Sequence, residues 1–267
     1  KRCSTYELVK DALSVCSKTP ETQVDIDTIN LQWEDNLKNN KGLEKFPIVP
    51  MIDTSGSMES NECMPLYNAI GLGLRASELT HPAFKNQVLT FDHTPQWLNL
   101  DDCSDTWEKI WKIKRAAWGT STQIYKAFKM VLDACIHKKV PSYEVENMII
   151  AIFSDMQIDC NCIYASPYND ETLTDRIDTL YKSAGYKTPH LLFWNLRKTT
   201  GFPNISTKKN ITALSGYSSA LLNVFCNKGI ETLKEITPRK MLEDLLNHDR
   251  YSILEKYIIE YDPTTTV

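Results

Sequence analysis

The sequence predicts an α/β protein, a sheet with helices on both faces. Three observations carry that reading. Apolar runs alternate with segments of helical periodicity from about residue 46 onward. The run Met148-Ile-Ile-Ala-Ile-Phe153 is the strongest strand signal in the chain. A composition of 42% apolar and 24% charged residues in 267 belongs to a globular protein able to bury a real core.

Taken in order, residues 1–45 read as an extension preceding the sheet domain, with a helix at 5–17 and the polar stretch NLKNNKGLEK. Residues 46–53 (FPIVPMID) read as a buried strand, although Pro47 and Pro50 each remove a ladder donor. Residues 64–79 are apolar nearly all round and carry Gly71 and Gly73, which fits a buried helix packed closely on the sheet. A strand at 87–92, a turn at His93-Thr94-Pro95 and a strand at 96–100 suggest a short antiparallel edge. Ile124, Phe128, Val131, Leu132 and Cys135 form one apolar stripe, so a helix is expected at 122–137, with Ser121 or Thr122 as its N-cap. After the strand at 148–153 come a helix around 171–185 and strands at 190–196 and near 211–215. A helix near 217–227 finishes the sheet domain. Thr237-Pro238 opens a further helix, and a last one runs from about 250 to 260. The division is 1–45, 46–230 and 231–267, the last a C-terminal helical extension. There is no internal repeat.

Lys and Arg number 30 against 34 Asp and Glu, a net charge of −4, which argues against affinity from a general basic surface. No run approaches the ~18 apolar residues of a membrane span, and the start KRCSTYELVKDAL lacks the apolar core of a signal peptide. The first residue is Lys, so a piece of a longer protein is expected. Eight scattered cysteines in a chain of this size point to a reduced intracellular, cytoplasmic setting. Cys160 and Cys162 are the only close pair. They could offer two thiolates to a soft metal, but a structural zinc site needs about four ligands, so loop or core cysteines are the better reading.

The sharpest chemical signal is Asp53-Thr-Ser55-Gly-Ser57, directly after an apolar strand. In α/β sheets, ligands bind at the carboxyl ends of strands. One carboxylate and two hydroxyls supply three hard oxygens, suited to Mg²⁺, Mn²⁺ or Ca²⁺, with Gly56 letting the backbone turn between them. Gly119-Thr120 precedes the helix at 122–137, and Ser154-Asp155 ends the strand at 148–153.

Together these loops resemble the metal-ion-dependent adhesion site of the von Willebrand factor A (vWA) domain. That pattern is Asp-x-Ser-x-Ser, a later Gly-Thr and a later Asp after a strand, met here by Asp53, Ser55, Ser57, Thr120 and Asp155 in order. The phrases MIDTSGSM, TFDHTPQW, FSDMQID and LLFWNL, with Leu214-Ser-Gly-Tyr217, look like an uncharacterised vWA family of large viruses, plants and fungi. That family is similar to the vWA half of Ro-type RNA-binding proteins, in which a helical-repeat domain comes first. Residues 1–45 would then be the end of such a domain or its linker. The resemblance implies a doubly wound, Rossmann-like, mainly parallel sheet with one antiparallel edge strand and a divalent ion, Mg²⁺ or else Mn²⁺ or Ca²⁺. By analogy Asp53 gives the main charge and Ser55 and Ser57 are direct ligands. Thr120 binds directly or through water, and Asp155 through water. An Asp or Glu of a protein partner would complete the coordination.

Other readings fare less well. A haloacid-dehalogenase-like phosphatase needs a second Asp where Ser55 stands, and an aspartic protease needs Asp-Thr-Gly. A serine-hydrolase elbow and a phosphate-binding Gly-x-x-x-x-Gly-Lys loop are absent from the sequence. The five histidines show no ligand spacing, and Asp92 reads as a turn residue. Residues 107–118 (WEKIWKIKRAAW) interleave Trp with Lys109, Lys112, Lys114 and Arg115, the chemistry of an RNA-stacking patch. Trp107, Ile110 and Trp111 at i, i+3 and i+4 equally make a core stripe with lysines on the wet face, the preferred reading. A protein-interaction module therefore ranks first and a component of a Ro-like RNA-binding particle second. A metal-dependent phosphohydrolase ranks third, since no general base stands beside the proposed ion; no enzymatic activity and no membrane association are expected.

Overall fold

The computed structural model describes residues 3–38, 47–91, 93–116, 123–157, 172–197 and 210–217, together with Glu243, Leu246 and Asn247. Among these residues six strands form one sheet: β1 (Ile48–Asp53), β2 (Gln87–Phe91), β3 (Gln96–Asn99), β4 (Ile149–Ser154), β5 (His190–Asn195) and β6 (Ile211–Ser215). The order is β3-β2-β1-β4-β5-β6, with β3 antiparallel to β2 and every other pair parallel. The strand expectations hold within a residue or two at each end.

Period-two alternation sorts the strand side chains into two cores. Ile48, Ile52, Ala151, Phe153, Leu192 and Trp194 face one layer, while Val49, Met51, Ile150, Ile152, Leu191 and Phe193 face the other. The first layer contains α1 (Thr5–Ser14), α2 (Gln23–Lys38), α3 (Ser60–Leu79) and α4 (Thr106–Lys114). The second contains α5 (Ile124–His137), the short α6 (Ser142–Glu146) and α7 (Leu173–Ser183). Leu8, Val9, Ala12, Ile26 and Trp33 are buried in the same core as α3, so the two N-terminal helices share the sheet's first layer.

Helix α1 begins with a capping box between Ser4 and Glu7 and stops at Ser14, three residues short of the expected 17. The reason is tertiary: Val15 turns extended, and its carbonyl accepts the indole N–H groups of Trp107 and Trp111, each at 3.1 Å. Helix α2 was not anticipated. Its buried positions Ile26, Ile29 and Trp33 fall at helical spacing inside an otherwise polar stretch.

Pro50 is tolerated in a central strand because of register. Pro47 carbonyl accepts from Ile149 N–H, so odd-numbered residues of β1 turn their backbone groups toward β4 and even-numbered ones toward β2. The missing Pro50 donor thus faces β2, with which pairing starts only at Met51. The Thr80 hydroxyl fills the gap, accepting from Ile48 N–H at 2.7 Å and donating to its carbonyl at 3.1 Å.

Helix α3 opens with Asn61, Glu62 and Cys63 at φ of 50°, 57° and 59°, a left-handed turn made without glycine and therefore strained. Regular helix follows, with Pro65 in its first turn, where its missing N–H is not needed. At Gly73 a Cβ would lie 2.5 Å from Ile52 Cδ1, so the helix reaches β1 at a distance only glycine permits. The helices expected near 217–227 and at 250–260 lie outside the described residues, and of the one expected after Thr237-Pro238 only Glu243 and Leu246, both helical, and Asn247, whose N–H donates to the Glu243 carbonyl at 2.9 Å, are described.

Candidate metal centre

Strand register brings a polar row to the carboxyl end of the second face. Met51, Ile152 and Phe193 form an apolar row across β1, β4 and β5 through the pairs Met51↔Ile152 and Ile152↔Phe193. Two residues further along each strand, on the same face, stand Asp53, Ser154 and Asn195, and Ser154 pairs directly with Asn195. All three are buried. Strand order reverses between β1 and β4, where doubly wound sheets open a crevice for ligands.

Asp53 is fully buried. Its Oδ1 accepts from Ser55 N–H at 2.9 Å, and its Oδ2 accepts from the Ser154 hydroxyl at 2.6 Å. Burial pushes its carboxyl up to about 6 against these stabilising hydrogen bonds, and the nearby charge of Asp155 adds to the rise. A carboxylate held this far from its ordinary range is one that an added positive charge would stabilise.

The Ser55 and Ser57 hydroxyls lie 3.1 Å apart, so the first loop clusters its hard oxygens beside Asp53. A single turn of 3₁₀ helix, Gly56–Glu59, follows and carries the chain into α3. Gly56 does not have the role expected of it. Its φ is not in the left-handed region, and a Cβ there would meet nothing within 4 Å.

The second loop is built on Met156, whose φ of 60° is unusual for a side chain of its size. That turn sends Met156 N–H back to Ser154 Oγ at 3.0 Å, while Gln157 N–H donates to Asp155 Oδ1 at 3.1 Å. Asp155 is fully buried, and its Oδ2 stands 3.3 Å from the Arg197 guanidinium.

The structure thus brings together Asp53, Ser55, Ser57 and the loop of Asp155. Thr120 lies outside the described residues, as do Asp92, Cys160 and Cys162. Sequence reasoning named Ser154 beside Asp155 but gave it no role, whereas the structure shows it tying β4 to Asp53, and it missed Arg197. Among the described residues no three His, Cys, Asp or Glu side chains cluster as a metal group. The set available is two carboxylates and two hydroxyls, hard oxygens that fit Mg²⁺, Mn²⁺ or Ca²⁺.

The other chemical signal resolves differently. On α4, Trp107 and Ile110 are buried and Trp111 is half-buried, with both indoles bonded to Val15 as described. Lys109 pairs with Glu78 at 2.7 Å, Lys112 with Asp102 at 2.6 Å and Lys114 with Glu59 at 3.3 Å. The Arg115 guanidinium lies 4.8 Å from the centre of the Trp111 ring. Cys3, Cys16, Cys63, Cys103 and Cys135 are free thiols, and no helix among the described residues is long and apolar enough to cross a membrane.

Comparison with known proteins adds three findings. The fold is similar to that in the crystal structure of the Ro (RSR) protein of Deinococcus radiodurans. The TM-score is 0.52 and the identity 17%, over 84% of this chain and 44% of that one. At that identity the likeness concerns the fold alone. The uncharacterized protein L728 of Acanthamoeba polyphaga mimivirus is 29% identical over 235 residues, which are 86% of this chain and 37% of that protein. The chain therefore spans less than half the length of either. A family model described as a domain of unknown function (DUF7788) matches residues 48–264, which include every strand and the whole candidate centre, and the chain belongs to that family.

Proposed function

We propose that this chain is a divalent-metal-dependent protein-interaction module that binds an acidic side chain of a partner through the loops after β1 and β4. The observation that carries the reading is the fully buried Asp53, with the clustered Ser55 and Ser57 hydroxyls beside it and a second buried carboxylate, Asp155, at the sheet's reversal point. Asp53, Ser55 and Ser57 would hold the ion, with Asp155 behind it and Thr120 supplied by the loop before α5. When bound, the ion contributes positive charge and a coordination position for an incoming carboxylate. Ser154 holds Asp53 in place, so the ligand oxygens are set before any partner arrives.

The reading assigns no catalytic residue and no general base. It also leaves RNA as the second candidate partner. The sequence resemblance to Ro-type RNA-binding proteins makes RNA worth testing, whereas the three lysines on α4 already have carboxylate partners.

The test is a screen of peptides presenting Asp or Glu against the chain in Mn²⁺. Binding that disappears on chelation and in Asp53→Ala is expected. Binding that survives removal of all divalent ions would contradict the proposal.

A further inference from the structure

The Asp155 carboxylate has a cation of its own. Arg197 lies two residues past the end of β5 and 42 residues after Asp155, and its Nη1 stands 3.3 Å from Asp155 Oδ2. The carboxylate is fully buried, while the Arg197 side chain keeps 31% of its surface exposed. Its backbone is fixed separately: the Asn195 side-chain oxygen accepts Arg197 N–H at 2.9 Å, so the polar row of the site also sets where this arginine starts. The guanidinium can therefore leave Asp155 by side-chain rotation toward solvent, with β5 and its end unmoved.

A divalent ion served by Asp53 and Asp155 and the Arg197 guanidinium draw on the same carboxylate. Two like charges a few ångströms apart in a buried site repel each other unless one moves. The ion is fixed by the loops after β1 and β4, and the arginine is the mobile one. We infer that Arg197 is an internal competitor for Asp155, which weakens metal binding and leaves the carboxylate when the ion binds. The inference rests on the proposed metal site and adds its regulation. By linkage, an anion that draws Arg197 toward solvent would tighten metal binding, so an acidic partner would favour the loaded state twice, through the ion and through the arginine.

The test titrates Mn²⁺ calorimetrically into the wild-type chain, Arg197→Gln and Arg197→Lys, with folding checked by circular dichroism. Arg197→Gln should bind about tenfold more tightly or better, because it removes one unit of like charge beside the ion. Arg197→Lys should stay near wild type. Equal or weaker binding by a folded Arg197→Gln, beside a wild type that binds, overturns the competition and leaves the metal site standing. No binding by either overturns both. A second readout needs no variant to fold: the Arg197 side-chain Nε–H resonance, followed by NMR during a Mg²⁺ titration of wild type. It should move as the guanidinium leaves Asp155, and a resonance unchanged at saturating Mg²⁺ would contradict the inference.

Discussion

Helix α4 and the loops after β1 and β4 both look chemical in the sequence, and the structure treats them in opposite ways. On α4 the apolar parts go inward and each lysine meets a carboxylate, two of those carboxylates being largely exposed. Pairs of that kind contribute little and are normal on a protein surface. At the loops the polar parts go inward: Asp53 and Asp155 are fully buried, and a half-buried arginine stands 3.3 Å from Asp155. Density of charge in the sequence does not distinguish the two regions. What distinguishes them is that burying a carboxylate is costly, and a protein keeps that cost only where something offsets it.

The contrast can be broken most forcefully at Trp107. If α4 is a structural helix, Trp107→Ala removes a buried indole and its bond to Val15, and should cost about 3–5 kcal/mol in chemical denaturation. Mn²⁺ affinity of the folded fraction should not change. A large loss of metal affinity in a folded Trp107→Ala would join the two regions into one site.

Asp53 supplies the next largest effect, seen through pH with divalent ions chelated. Its carboxyl rises from an ordinary 3.8 to about 6 on folding, so between those values the folded chain holds a proton that the unfolded chain has released. Stability from this group is full below about pH 3.8 and is lost as the pH climbs through about 6, a change on the order of 3 kcal/mol. Asp53→Asn should flatten that component. Subtracting its stability curve from that of wild type isolates the group from other carboxylates, such as Glu108, which Lys18 pulls down to about 2 and which act in the opposite direction. A difference curve that is flat from pH 4 to 7 would mean that Asp53 is not the strained acid described.

The smallest effect belongs to the surface of α4. Reversing Lys112, Lys114 and Arg115 to Glu should lower stability only slightly, because these side chains stand at the solvent-facing edge of α4. Any RNA affinity of the chain should be unchanged. A tenfold loss of RNA affinity would make α4 an interface after all.

Much of the fold was legible. All six strands were expected, the clearest of them from apolar runs, and Gly73 announces a helix lying close on the sheet, whereas Gly71 faces Thr5 of α1. Helix α2 was missed because three buried residues in sixteen leave a weak stripe in polar text. The left-handed turn at 61–63 carries no glycine to mark it. At the site, Asp53, Ser55, Ser57 and Asp155 were legible through spacing. The role of Ser154 emerges only from strand register, which puts it on the same face as Asp53. The partner of Arg197 lies 42 positions away, and no local pattern encodes such a pair. The reading of Gly56 failed for a simple reason: glycine is commonly found where a turn needs it, but this turn does not.

The most direct test is calorimetric titration of Mn²⁺ into the wild-type chain, Asp53→Ala and Asp155→Ala, each shown to be folded by circular dichroism. Saturable one-site binding in wild type, abolished by Asp53→Ala and weakened about ten- to a hundredfold by Asp155→Ala, is the predicted result. A well-folded wild type that binds no Mn²⁺, or variants that bind as wild type does, would contradict the account.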